Sequence, residues 1–169
     1  ATINLSNATQ TGVGGTNTPA FSATITSTQS ITNNSQTKIA FATEQYDTDS
    51  AYDHSTNYRF TVPSGEGGKY FFSVFALAVA EGTLLSNAYI SLHVNGSMKQ
   101  KPFWYSGGAS TNIYNSIKYI PLQIHATYNL SVGDYVEAFV YLAKDAGSGT
   151  HQLFSGETSS HFAGHKIIE

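Results

Sequence analysis

The segment Lys69–Ala80 constrains the fold most, because as a strand it is apolar on both faces. Alternate residues of a strand point to opposite faces. The odd-numbered face carries Phe71, Phe75, Leu77 and Val79, and the even-numbered face carries Tyr70, Phe72, Val74, Ala76 and Ala78. A strand of this kind must be covered on both sides. We therefore predict a central strand with one face in a core and the other against a second cover.

Further segments alternate between apolar and polar residues with the period of two that marks a half-buried strand. The clearest are Ala20–Ser27, Asn87–Asn95, Ile117–Tyr128 and Asp134–Leu142, and shorter strands are predicted over Thr37–Thr43, Tyr58–Val62, Met98–Tyr105 and His161–Ile168. The pair Asn95-Gly96 supplies the positive-φ residues of a tight hairpin turn. Because helical periodicity is absent, we predict an all-β sandwich or jelly roll with eight or more strands.

Composition excludes several classes of protein. Only 11% of the residues are charged, the net charge is −3 and Arg59 is the single arginine, so the chain lacks the basic stripe on which nucleic-acid binding depends. Without cysteine there is no disulfide framework and no thiolate metal site. A hydrophobic content of 40% and an aromatic content of 13% argue against disorder.

The chain is expected to divide into a polar N-terminal attachment segment, residues 1–18, and one β domain, residues 19–169. Ala1–Pro19 has no basic start and no apolar core, so we expect no signal peptide within this segment. The longest apolar run, Phe71–Ala80, is much shorter than the roughly 20 residues of a membrane helix. We expect no insertion into a membrane.

Several short motifs occur in the order and spacing of a known family. They are Pro19-Ala-Phe-Ser-Ala, Tyr58-Arg-Phe-Thr-Val-Pro, Gly68-Lys-Tyr-Phe-Phe, Leu130-Ser-Val-Gly-Asp134, Phe154-Ser-Gly156 and Phe162-Ala-Gly164. Over about residues 19–168 the chain resembles the complement C1q globular domain of the C1q/TNF superfamily. It departs from that family in longer spacings between Tyr52, Phe60 and Gly68, and in Val74, where an aromatic residue is common.

The resemblance implies a ten-stranded jelly roll that assembles as a homotrimer around a threefold axis. One face of Lys69–Ala80 would then pack inside the sandwich and the other against neighbouring subunits. On this basis we expect the trimer interface to contain Tyr70, Phe72, Val74 and Phe162.

The segment from Tyr46 to Phe60 is most similar to C1q-like domains in structural proteins of aquatic bacteriophages. Such domains occur in tail fibres and in proteins that decorate the head. The short segment before the domain has no collagen-like or coiled-coil stalk. The resemblance therefore implies a protein of the virion, an extracellular particle assembled from proteins made in the host cytoplasm. Capsid or other virion proteins are the expected partners.

One loop carries a candidate metal site. Asp47, Asp49 and Asp53 offer the oxygen ligands that calcium prefers, although the loop lacks the central glycine and closing glutamate of an EF-hand. The alternative is a solvated turn in which aspartates cap the backbone. Calcium is the one cofactor that the sequence suggests.

The C-terminal histidines form a second candidate. His161 and His165 are four residues apart on a predicted strand and so share a face, and His151 lies upstream. Around a threefold axis such a histidine would meet its symmetry mates and form a metal or pH-sensitive site. The alternative is a pair of exposed strand histidines.

Phe103, Trp104 and Tyr105 precede a glycine-rich polar stretch and form a candidate patch for a host glycan or protein, since interfaces favour Trp and Tyr. The alternative is that they belong to the strand core. No catalytic constellation is present: Asp134 and Glu137 face opposite sides of a strand, and no nucleophile elbow occurs. We predict that the chain is not an enzyme.

Two functions remain. The first is a trimeric virion structural protein, a head decoration or cement protein attached through its N-terminal segment. The second is the receptor-binding head of a fibre, or a lectin-like domain, that recognises a host glycan or protein. If the chain is part of a longer protein, a fibre tip fits as well as a decoration protein.

Overall fold

The alternating segments form antiparallel strands in a computed structural model, which describes residues 17–80, 83–105, 119–147 and 150–167. The attachment segment predicted for residues 1–18 lies almost entirely outside the described residues. The strands are β1 (Ala20–Thr24), β2 (Gln29–Ile31), β3 (Gln36–Lys38), β4 (Thr43–Asp47), β5 (Tyr52–Asp53), β6 (Arg59–Thr61), β7 (Gly68–Ala80), β8 (Thr83–Val94), β9 (Ser97–Gln100), β10 (Phe103–Tyr105), β11 (Tyr119–Leu130), β12 (Tyr135–Gly147), β13 (His151–Leu153) and β14 (Ser160–Lys166).

The strands form two seven-stranded sheets. In the first, β11 pairs with β7 along almost its whole length, while β14 and then β13 share the other edge of β7. The sheet continues from β14 through β1 to β4, and from β13 to β2. The second sheet runs in the order β10-β8-β12-β6-β5, with β9 beside β8 and β3 beside β12.

The predicted all-β sandwich is confirmed. The described residues contain fourteen strand segments, several only two or three residues long, so the expected count of ten is not confirmed. The hairpin at Asn95-Gly96 joins β8 to β9 with φ angles of 51° and 75°, as the sequence predicted. None of the described residues belongs to a helix long and apolar enough to cross a membrane.

The core between the sheets is rich in aromatic rings. Phe21 of β1 stacks on Tyr52 with ring centroids 4.6 Å apart, and Phe162 of β14 meets the Phe21 ring edge-on at 4.9 Å. Phe60 and Phe72 complete the group from β6 and β7. All five side chains are buried, and this contact ties the first sheet to the second.

The even-numbered face of β7 points into this core, which corrects one prediction. Tyr70, Phe72, Val74 and Phe162 are all fully buried within the single chain. Their neighbours across the strands are apolar or small, such as Ile124, Ala126 and Gly164. These side chains cannot contact another subunit, so their assignment to a trimer interface was wrong. The odd-numbered face of β7 is the one turned outward.

Candidate functional site

The outward side of the first sheet gathers aromatic and imidazole rings around the middle of β7. We call this surface the histidine face and define it by Phe71, Ser73, Phe75, His125, His161 and His165. β7 supplies the first three of these residues, β11 supplies His125, and β14 supplies the other two. The exposed or half-buried residues alternate with buried ones on all three strands, so these six side chains share one side of the sheet.

Strand register sets the arrangement of the histidine face. Gln123 and His161 stand opposite Phe75 on either side of β7, and His125 and Ala163 stand opposite Ser73. His165 pairs with Phe71. Each phenylalanine therefore has a histidine on the neighbouring β14, and His125 approaches the same group from β11.

The imidazoles pack on the phenylalanine rings. The His125 ring is nearly parallel to that of Phe71, with centroids 6.1 Å apart, and the His165 ring lies 5.6 Å from the same phenylalanine. The His161 ring stacks on Phe75 at 5.9 Å, and its Nε2 lies 3.1 Å from Ser73 Oγ. Stacked in this way, the imidazoles extend the ring surface of the two phenylalanines.

The strands of the first sheet are poor in acidic residues. Their only carboxylates are Glu44 and Asp47, both on the edge strand β4. Glu44 pairs with His54 at 3.1 Å, and Asp47 accepts hydrogen bonds from the backbone amides of Asp49 and Tyr52. Burial lowers the pKa of His161, and a charge on His125 lowers it further. The surroundings of His161 thus favour its neutral form.

Apolar surface continues from the histidine face toward the far end of the sheet. Leu77 is half-buried on the outward side of β7 and stands opposite the exposed Pro121 of β11. Tyr119 is 51% exposed, and its ring stacks on Phe154 at 5.8 Å. Single apolar side chains are ordinary on a surface, whereas a continuous series of them marks an interaction site.

The loop that carries Asp47, Asp49 and Asp53, here called the acidic loop, is a turn whose backbone amides are capped by aspartate side chains. The Asp53 carboxylate accepts hydrogen bonds from the backbone amides of Ser55, Thr56 and Asn57 and from the Asn57 side chain. These bonds hold the pKa of Asp53 well below its ordinary value. Asp47 caps the backbone as described above, and Asp49 Oδ2 accepts from the Thr48 hydroxyl at 2.5 Å. In the described ranges no group of three or more potential metal-ligating side chains converges. The hydrogen bonds of Asp47 and Asp53 are those expected of the capping alternative, and calcium binding stays a prediction.

The second sheet contains a polar cluster that the sequence reasoning missed. Ser91 Oγ lies 3.2 Å from His93 Nε2, and Glu137, opposite His93 in the neighbouring strand, pairs with Lys38. The residue types are those of a nucleophile and base. However, Ser91 is 0% exposed, so its hydroxyl does not reach solvent. The cluster is consequently a structural one, in which burial lowers the pKa of His93.

The other candidate residues from the sequence are the C-terminal histidines and the aromatic patch Phe103, Trp104 and Tyr105. His161 and His165 share the outward face, as predicted, whereas His151 is 3% exposed and neither of its ring nitrogens has a hydrogen-bond partner. Phe103, Trp104 and Tyr105 form β10, which pairs with β8 at the edge of the second sheet. The side-chain placement of these three residues lies outside what the structure describes, and so does the glycine-rich stretch after them.

Comparison with known proteins agrees with the fold. No family model and no curated protein matches the chain. Among solved structures it is similar to the globular domain of zebrafish complement 1qA protein, with a TM-score of 0.57 and 19% identity over 88% of this chain and 97% of that one. Murine APRIL, in structures at pH 5.0 and pH 8.0, gives TM-scores of 0.57 at 11% and 10% identity, covering 88% of this chain and 98% of that one. The fold is C1q/TNF-like, and this part of the predicted resemblance is confirmed.

Proposed function

We propose that the chain is a non-enzymatic structural protein that forms a homotrimer through the histidine face and serves in a virion as a head decoration or cement protein. The observation that carries the proposal is the group of aromatic, imidazole and apolar side chains on the outward side of β7 and its neighbouring strands, in a fold of the C1q/TNF type. Residues 1–18 are proposed to attach the trimer to capsid or other virion proteins.

Trimer formation accounts for the two-sided apolar character of β7. Its even-numbered side chains fill the core, while Phe71, Phe75 and Leu77 remain half-buried on the outside. Removing such side chains from water stabilises an assembly by roughly 25 cal/mol for each Å² of apolar surface covered. Three copies that present the same face to a common axis cover all of these side chains at once, and closed symmetry ends the assembly at three.

A direct test compares Phe75→Ser/Leu77→Ser with the wild-type chain by sedimentation. The wild type is expected at about three times the chain mass of 18.2 kDa, and the variant is expected to remain folded as a monomer because both substitutions lie on the outward face. Met98→Gln is the matched control, since Met98 is an exposed apolar residue on the second sheet. A wild-type monomer at every accessible concentration would refute the trimer.

The virion role is tested separately on particles. Immunogold labelling should find the protein on the head, and a chain lacking residues 1–18 should stay trimeric yet fail to bind particles from which the protein has been removed. Labelling confined to a fibre tip, or particle binding that does not need residues 1–18, would overturn the decoration role while leaving the trimer untouched.

A second candidate function is a receptor-binding head for a host glycan or protein. It is favoured by aromatic rings and cationic side chains on the outward face of the second sheet. Tyr89 and Tyr141 stack with ring centroids 4.9 Å apart. Lys101 lies 4.8 Å over the Tyr89 ring, and Arg59 lies 4.2 Å over the Tyr135 ring. Such amphipathic rings suit sugars and protein contacts. This function predicts cell or glycan binding without residues 1–18, lost in Tyr141→Ala.

A further inference from the structure

The six histidines are distributed unevenly over the chain. His54 lies in the acidic loop, and His93 and His151 are buried. The other three, His125, His161 and His165, all lie on the histidine face. Half of the histidines therefore sit on the surface that the proposed function assigns to the trimer contact, and histidine is the side chain type that can act as a switch near neutral pH.

We propose that the histidine face makes the trimer contact pH-dependent, holding three copies together while His125, His161 and His165 are neutral and releasing them when these imidazoles are protonated. This inference rests on the proposed function, because it assigns a regulatory role to the same contact. Its physical basis is the stacking of each imidazole on a phenylalanine ring together with the shortage of compensating charge.

Charge on the surrounding elements does not favour protonated histidines. β7 contributes Lys69, β11 and β4 contribute Tyr119 and Tyr46, and the outward positions Ala20 and Ser22 of β1 carry no charge. Lys166, which follows His165, is already paired with Glu66 at 3.0 Å. The two carboxylates on strands of this sheet, Glu44 and Asp47, are engaged as described above. An imidazolium on this face thus has no uncommitted carboxylate among the described strand residues of its own sheet.

Assembly into a trimer would disfavour protonation of these histidines further. In a trimer built on this face, three copies bring nine imidazoles toward one axis, where they lose water and approach one another. Both changes disfavour the charged form, since desolvation and like charges lower the pKa of a histidine. The single chain already shows both influences at His161, where burial and His125 act in the same direction.

The sign of the pH dependence follows from proton linkage. A histidine whose pKa is lower in the trimer than in the free chain leaves the trimer at full strength above the pKa that it has in the free chain. For His161 that pKa already lies below the ordinary value of about 6.5, because the residue is partly buried. Below that pH the free chain binds protons that the trimer does not, so association weakens by up to about tenfold per pH unit for each linked proton. The trimer is expected to be tight at neutral pH and to dissociate in mild acid.

The experiment measures the mass of the full chain by sedimentation at about pH 7.5 and about pH 5, on either side of the ordinary histidine pKa. The wild type should be a trimer at the first pH and largely monomer at the second. The triple variant His125→Gln/His161→Gln/His165→Gln keeps polar side chains of similar reach that do not titrate, so it should remain trimeric at both. His54→Gln is the matched control and should dissociate in acid as the wild type does.

The outcomes separate this inference from the proposed function. A wild-type monomer at about pH 7.5 refutes the trimer itself. A wild-type trimer at both pH values, or equal dissociation of the wild type and the triple variant in acid, overturns the pH dependence and leaves the trimer standing. Acid effects on the buried His93 and His151 are common to both chains, so they cancel in this comparison. If the triple variant does not assemble at neutral pH, the three single variants replace it, and unchanged acid dissociation in all of them overturns the proposal.

Discussion

Gly164 lies on β14 at the point where the rings of Phe21 and Phe72 meet. A Cβ atom placed there would stand 2.6 Å from Phe72 Cδ1 and 2.9 Å from Phe21 Cε1, too close for either ring to stay in place. Glycine at this position is therefore required by the aromatic core, not by the backbone conformation. The same contact explains why the motif Phe162-Ala-Gly164 ends in glycine.

Replacing Gly164 by alanine should lower the free energy of unfolding by about 1–3 kcal/mol, the usual cost of adding a methyl group to a filled core. Urea unfolding of the two chains measures the difference. Gly67→Ala is the control, because its nearest neighbour across the chain would be the Leu130 carbonyl oxygen at an ordinary 3.6 Å. Equal stability of Gly164→Ala and the wild type would show that the rings can move aside.

Asp53 organises its loop through five accepted hydrogen bonds, one of them from the Ser55 hydroxyl. Asp53→Ala should cost about 1–2 kcal/mol of stability at neutral pH, because backbone amides lose their acceptor. Since the pKa of Asp53 is lowered in the folded chain, this contribution is complete above the ordinary value near 3.9 and is lost as the pH falls below it. Thermal unfolding at several pH values measures it.

Asp49→Ala serves as the comparison for Asp53→Ala, because the Asp49 carboxylate accepts only from the neighbouring Thr48 hydroxyl among the hydrogen bonds described for this loop. It should lie within about 0.5 kcal/mol of the wild type, as surface substitutions usually do. If Asp49→Ala were as costly as Asp53→Ala, the two carboxylates would be acting together, as a shared cation site requires.

At the scale of elements, Lys38 links the short edge strand β3 to the central strand β12. It pairs with Glu137 and lies 5.7 Å over the ring of Phe139, which in turn packs 4.2 Å from His93. The Glu137 side chain is only 7% exposed, whereas that of Lys38 is 33% exposed. The lysine thus compensates a carboxylate that the sheet has removed from water.

Removing the lysine alone should be costly. Lys38→Met leaves Glu137 buried without its partner, and we expect a loss of about 2 kcal/mol, less than for a fully buried pair because Lys38 is partly solvated. The double variant Lys38→Met/Glu137→Met should recover most of that loss, since a buried pair is often replaceable by apolar side chains. A double variant less stable than Lys38→Met would contradict this reasoning.

The strand β7 shows what could be predicted from sequence and what could not. Its period predicted two covered faces, and the strands around it were recognised from their own alternation. Which face turned inward was predicted wrongly, because both are apolar and the choice depends on register with β11 and β14. Ser73 was the available signal: it is the one polar residue within the apolar run and marks the outward side, opposite His125.

The residues of the histidine face could be predicted only in part, for the same reason. His161 and His165 were assigned to one face from their spacing, but His125 joins them through pairing across β7, which one sequence does not reveal. The Ser91–His93 pair was missed because polar residues on the outer face of a strand ordinarily meet water. Here that side is covered, so the polar side chains are buried.

At the scale of the whole molecule, the buried histidines His93 and His151 lower the free energy of unfolding in acid. His93 has partners in Ser91 and the backbone of Gly96, but both ring nitrogens of His151 are unpartnered. Burial lowers the pKa of both residues, and Lys144 lowers that of His151 further. The folded chain therefore resists protonation that the unfolded chain accepts below about pH 6.5, and the free energy of unfolding should decline as the pH falls from that point.

The variant His151→Leu tests how much this one buried histidine changes the free energy of unfolding. A leucine removes two unsatisfied buried atoms, so it should raise the free energy of unfolding by about 1 kcal/mol at neutral pH and reduce its decline in acid. His93→Leu is the counterpart: it also removes a titrating group, but it breaks existing hydrogen bonds and should destabilise at neutral pH. Urea unfolding at one protein concentration, repeated from about pH 7.5 to about pH 5.5, measures both. A His151→Leu chain that is less stable than the wild type at neutral pH would mean that the imidazole makes a contact which a leucine cannot replace.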